Sequence, residues 1–74
     1  MNHEIDVKRL LCPLPVIRLG EAIDDCQIGD TIEVVATDPG VLHDIPAWCK
    51  VHGHEVLKIR EKNDQIMLLV KKIG

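Results

Sequence analysis

The apolar positions of the chain alternate between two spacings. Residues 3–7, HEIDV, put Ile5 and Val7 on one face, the mark of a strand. From Pro13 to about Cys26 the apolar residues Val16, Leu19, Ile23 and Cys26 recur every three or four positions. That spacing predicts an amphipathic helix with a single apolar stripe. Gly29-Asp30 ends the pattern. TIEVVAT, residues 31–37, is rich in β-branched side chains and predicts a second strand. DPG then signals a second helix, with Asp38 as its N-cap and Pro39 in its first turn. Val41, Leu42, Ile45, Trp48, Cys49 and His52 fall on one helical face, and Gly53 is a natural stop. Pro46 lacks a backbone donor, so it is expected to kink this helix or split off its first turn. HEVLKIRE, 54–61, and QIMLLVKK, 65–72, read as two more strands joined by an Asn63-Asp64 turn.

The predicted order is β-α-β-α-β-β. It fits an α/β two-layer sandwich, a four-stranded mixed sheet with two helices on one face. Residues 1–74 are expected to form a single domain. Each strand-helix-strand unit should cross over right-handedly and give a parallel pair, while the last two strands form a hairpin. The uncovered sheet face would carry Val35, Val56, Met67 and Leu69. Such residues suit a docking surface, but ordinary apolar exposure of a small domain is the favoured explanation.

Composition narrows the function classes. Hydrophobic residues make up 46% of the chain, which argues for a globular protein. There is no Phe or Tyr and Trp48 is the only aromatic, so the core must be built from Val, Ile and Leu. Twelve acidic residues against nine basic ones give a net charge of −3 without a basic stripe, so direct nucleic-acid binding is not expected. No apolar run is long enough to span a membrane, and the first residues, MNHEIDVKRLLC, carry acids where a secretion signal would not. The expected location is the cytoplasm. Three cysteines, Cys12, Cys26 and Cys49, are a poor disulfide framework, and each is expected to be a free thiol.

Cys12 is the thiol whose setting points to chemistry. With Pro13 at the first helical position, where proline is preferred, Cys12 becomes the N-cap. A helix N-terminus carries partial positive charge and unpaired N–H groups, so a thiolate there should have a pKa below the free value of about 8.5. Arg9 and Arg18 could add to that potential. Pro13 and Pro15 have no N–H, which leaves Leu14 and Val16 as the free donors of the first turn, and Leu14 as the one placed to cap Cys12. The prolines also stiffen the backbone. The alternative is a small buried hydrophobe that ends a loop. Cysteine is not a favoured N-cap for stability, and this favours the reactive role.

Cys26 falls at the negative end of the first helix beside Asp24 and Asp25, and Cys49 lies on the second apolar stripe. Core packing is expected for both. Cys49-x-x-His52 has the spacing of half a zinc site but lacks a second pair, so no metal is expected. Pairing of Cys12 with His43, His52 or His54 is conceivable but nothing in the sequence supports it.

Cys12-Pro13-Leu14-Pro15-Val16 resembles the Cys-Pro-x-Pro signature of the TusA, or SirA-like, family. Asp6, ATDPG, Asp44-Ile45, Trp48-Cys49 and GHEVL at 53–57 resemble further blocks of that family, so the likeness covers essentially the whole chain. It implies a cytoplasmic sulfur carrier of sulfurtransferase type, with Cys12 as the persulfide nucleophile. The donor would be a cysteine desulfurase or a rhodanese-like protein. The acceptor would be another protein, serving tRNA thiolation, sulfur oxidation or related trafficking. No cofactor is implied. The chain departs from the family pattern at Arg9, where glycine is common, and at Gly20 and Glu21, where basic residues are usual. A monomer is expected, because transient handover needs a free tip. The competing functions are a thiol-independent regulatory or protein-binding module, and a redox protein pairing Cys12 with Cys49.

Overall fold

Strand β1 (Asn2–Val7) lies parallel to β2 (Thr31–Ala36), with Ile5 opposite Val34 and Val7 opposite Ala36. Helix α1 (Leu14–Asp24) makes the crossover between them. The coordinates are a computed structural model that describes residues 2–11 and 13–74, so Met1 and Cys12 lie outside the described residues. Helix α2 (Val41–His52), β3 (Glu55–Lys62) and β4 (Gln65–Lys71) complete the predicted order.

The sheet order is β1-β2-β4-β3, with β4 antiparallel to both neighbours. The expected parallel pair of β2 and β3 is therefore corrected, because β4 separates them. The physical reason is burial. Ile66, Leu68 and Val70 of β4 are 5%, 0% and 0% exposed, a residue set that belongs in the centre of a sheet. Lys58, Arg60 and Lys62 make β3 a charged strand suited to an edge. Asn63 and Asp64 join the two with φ of 52° and 63°, as a two-residue type I′ turn requires.

Both helices cover one sheet face. Leu19 and Ile23 from α1 and Val41, Ile45 and Cys49 from α2 close over Ile32, Val34, Ala36, Leu68 and Val70. Val35, Met67 and Leu69 are half-buried on the opposite face, as expected. Val56 is not there. It pairs with Val70 and packs against the core. A bulge between Val56 and Lys58 changes the alternation, so that Lys58 and Arg60 pair with Leu69 and Met67.

Pro46 does not divide α2, which runs unbroken from Val41 to His52. Instead the chain ahead of it winds tightly. The N–H groups of Val41, Leu42 and His43 donate to the carbonyls of Asp38, Pro39 and Gly40, each at 3.1 Å. Gly40, not Asp38, is the N-cap of α2; Asp38 Oδ1 accepts from Gly40 N at 3.1 Å and caps the preceding turn. Gly53 ends the helix with φ 76°, and the N–H groups of Gly53 and His54 both donate to the Cys49 carbonyl.

Candidate functional site

The chain between β1 and α1 is held by short local bonds. Asp6 Oδ1 accepts from Lys8 N at 2.9 Å, and Val7 O accepts from Leu10 N at 3.2 Å. Within this turn Arg9 takes a φ of 68°, a left-handed backbone that glycine adopts freely. That conformation accounts physically for a glycine preference at this position. The Arg9 N–H donates to Thr37 Oγ1 at 2.9 Å and ties the turn to the end of β2.

Four residues after Arg9 the chain reaches Pro13, the entry to α1. The Leu14 N–H donates to the Leu11 carbonyl at 2.9 Å, and the Ile17 N–H donates to the Pro13 carbonyl at 3.1 Å. Pro13, with φ −97° and ψ 12°, is the N-cap, and Pro15 occupies the second helical position with its ring buried. Two expectations are corrected here. Pro13 is not the first helical residue, so the N-cap position does not fall on Cys12. The Leu14 donor is directed to Leu11 rather than left for a thiol. Cys12 itself lies outside the described residues; the sequence places it between Leu11 and Pro13. Val16 packs partly against the core, which fixes the rotation of the helix.

Leu11, Leu14 and Ile17 flank the motif and are 71%, 45% and 51% exposed. Leu11 lies just before α1 and Leu14 and Ile17 lie in its first turns, and apolar side chains this exposed suit transient protein contact. The two arginines have separate settings. Arg18 Nη1 is 3.7 Å from Glu21 Oε1, on the side of α1 facing Asp6 and Lys8. Arg9 borders a depression shared with Asp6, Lys8, Thr37 and Gln65.

The other thiols are accounted for by packing and electrostatics. Cys49 is 1% exposed, and burial pushes its thiol up to about 11. The half-buried Cys26 thiol is also raised, first by burial and then by the carboxylates of Asp30 and Asp25, against the opposing charge of Lys72. His43 is exposed. His52 and His54 place their rings 4.4 and 5.7 Å from the Trp48 ring. The His52 ring is tilted against Trp48 and the His54 ring stacks on it, whereas Cys49 is buried in the core. His54 Nδ1 accepts from Ile73 N at 3.3 Å, and burial lowers the pKa of this imidazole.

Sequence reasoning overlooked one constellation. His3, Cys26 and Asp30 meet at the far end of α1 from the motif, with their ligand-type atoms within 4.8 Å of one another. The three lie up to 27 residues apart, and no local spacing signals their approach.

The fold is a small α/β domain in which Pro13, Leu14 and Pro15 of the sequence motif stand at the start of α1, and the comparisons give it a family. The model of the family described as Sulfurtransferase TusA matches residues 3–72, and the chain belongs to that family. It is 35% identical to YrkI of Bacillus subtilis over 68 residues, covering 92% of this chain and 91% of the other. It is 34% identical to the sulfur carrier protein TusA of Allochromatium vinosum over 71 residues, covering 96% and 93%. The crystal structure of a SirA-like protein from Desulfitobacterium hafniense shares the fold, with a TM-score of 0.85 at 22% identity over 97% of this chain and 99% of that one.

Proposed function

We propose that this protein is a sulfur carrier that accepts sulfane sulfur on Cys12 and passes it to an acceptor protein. The Cys12 thiolate attacks the terminal sulfur of a donor persulfide. A Cys12–sulfur bond forms, the donor sulfur–sulfur bond breaks, and the donor cysteine leaves as thiolate. The acceptor thiolate repeats the step on the Cys12 persulfide. No net oxidation occurs.

The family match over residues 3–72, which includes Cys12-Pro13-Leu14-Pro15, is the observation that carries this proposal. Two features support it. The motif leads directly into α1, whose positive end favours an anion, thiolate or persulfide, held close by. Leu11, Leu14 and Ile17 offer an exposed apolar collar for a passing partner. The donor is a cysteine desulfurase or a rhodanese-like protein, and the acceptor feeds tRNA thiolation, sulfur oxidation or related sulfur trafficking. The protein works in the cytoplasm as a monomer.

Incubation with a cysteine desulfurase and cysteine, or with a rhodanese and thiosulfate, followed by intact mass spectrometry, tests the proposal. The expected product is a gain of one sulfur that dithiothreitol removes and that is absent from Cys12→Ser. Equal sulfur loading of Cys12→Ser would overturn it.

A further inference from the structure

We infer that His3, Cys26 and Asp30 form a binding site for a divalent transition-metal ion of zinc type, remote from the sulfur-carrying motif. The three side chains come from three parts of the fold. His3 lies on β1, Cys26 follows the C-terminal end of α1, and Asp30 immediately precedes β2. Since α1 has 11 residues, the cluster is about 16 Å along the helix from the motif.

The donor set is chemically selective. Imidazole nitrogen, thiolate sulfur and carboxylate oxygen are the ligand types of zinc, and three protein ligands with one open position form a common arrangement. A thiolate and a carboxylate together neutralise the two charges of the ion. The geometry is close to what such an ion needs. His3 Nε2 lies 3.1 Å from Asp30 Oδ2, and all three ligand atoms fall within 4.8 Å. Bond lengths of about 2.0–2.3 Å at tetrahedral angles put ligand atoms about 3.5 Å apart, so closure requires movements of about an ångström.

The backbone beneath the cluster is fixed on both sides. The Cys26 N–H donates to Ile23 O at 3.0 Å, and Gln27 N donates to Asp30 Oδ2 at 3.1 Å. Gly29 N donates to Lys72 O at 2.8 Å, and Lys72 N donates to Asp30 O at 2.9 Å. Lys72 Nζ donates to the carbonyls of Ile23 and Cys26 at 2.8 and 2.9 Å. The loop that presents two of the ligands is thus bolted to the chain beyond β4, which limits the ordering cost of binding. The Lys72 ammonium repels a cation and moderates the affinity. On binding, the Cys26 thiol proton passes to solvent, the His3 imidazole coordinates through Nε2 with its ring proton on Nδ1, and a water molecule takes the fourth position.

Cobalt(II) titration of the full chain, followed by zinc displacement, tests the site. The expected result is one equivalent bound with a thiolate-to-cobalt charge-transfer band, unchanged in Cys12→Ser and lost in Cys26→Ser. His3→Ala should weaken binding at least tenfold while circular dichroism remains native. Zinc should raise the melting temperature of Cys12→Ser but not of Cys26→Ser. Absence of the band in the native protein, its loss in Cys12→Ser, its survival in Cys26→Ser, or undiminished affinity in His3→Ala would each overturn the site. Sulfur loading of Cys12 is read separately in Cys26→Ser by mass, so failure of the carrier role and failure of the metal site are distinct outcomes.

Discussion

Gly20 on α1 faces the indole of Trp48 on α2, and a Cβ placed on Gly20 would meet Trp48 Cζ2 at 3.4 Å. That distance is ordinary van der Waals contact. Glycine in a helix interior costs about 1 kcal/mol relative to alanine. Gly20→Ala should therefore stabilise the fold by roughly 0.5–1 kcal/mol, read from urea unfolding followed by Trp48 fluorescence. Destabilisation would show that the two helices pack too closely there for even one methyl group.

Arg9 occupies a left-handed backbone conformation at φ 68°. An L-residue there costs about 1–2 kcal/mol, partly offset by the greater freedom glycine has when unfolded. Arg9→Gly should raise stability by up to about 1 kcal/mol. Thr37→Val removes the acceptor of the Arg9 N–H and should lower stability by about 1 kcal/mol. Chemical denaturation of both variants measures the two effects.

Cys49 is sealed in the core with its thiol at about 11, and the Cys26 thiol is raised as well. Since the thiolate is the reactive form, alkylation of the folded protein near neutral pH should leave Cys49 unmodified. Denaturant should release it. Peptide mapping after timed alkylation gives the order of reaction. Rapid labelling of Cys49 in the folded state would contradict its burial.

His54 has its pKa lowered by burial, then by the charges of Lys72 and His52, against an opposing effect of Asp24. The folded state therefore favours the neutral imidazole, which also accepts from Ile73 N. The associated stability is present above the unfolded pKa of about 6.5 and is lost as pH falls through the lower folded value. Stability measured from about pH 7 to 5 should decline, and His54→Gln should reduce the slope. Trp48, 5.7 Å from the His54 ring, should report the same titration in its fluorescence.

The sequence revealed the elements better than their partners. Alternation at Ile66, Leu68 and Val70 and the stripe through Leu19 and Ile23 are local, and each marks a buried face directly. The insertion of β4 between β2 and β3 is a pairing choice between distant segments, which local spacing does not encode. Simple alternation puts Val56 on the same face as Lys58 and Arg60, but the bulge between Val56 and Lys58 breaks that phase and leaves Val56 on the core side. At the motif the prolines correctly marked a helix start, but the start lies one residue later than expected, since the tight turn closed by Leu14 N–H on Leu11 O precedes it. His3 and Asp30 carried no local signal, because their neighbourhood exists only after β1 and β2 pair.

The central place of β4 also shapes the birth of the protein on the ribosome. Among the described residues, β3 pairs within the sheet only with β4, and β4 covers the edge of β2 that faces away from β1. A nascent chain that has emerged only as far as residue 64 can assemble β1, α1 and β2, but α2 and β3 have no completed sheet to dock on. Synthesis must deliver residues 65–71 before the core can close, so the growing chain is exposed to chaperones and proteases until those residues emerge.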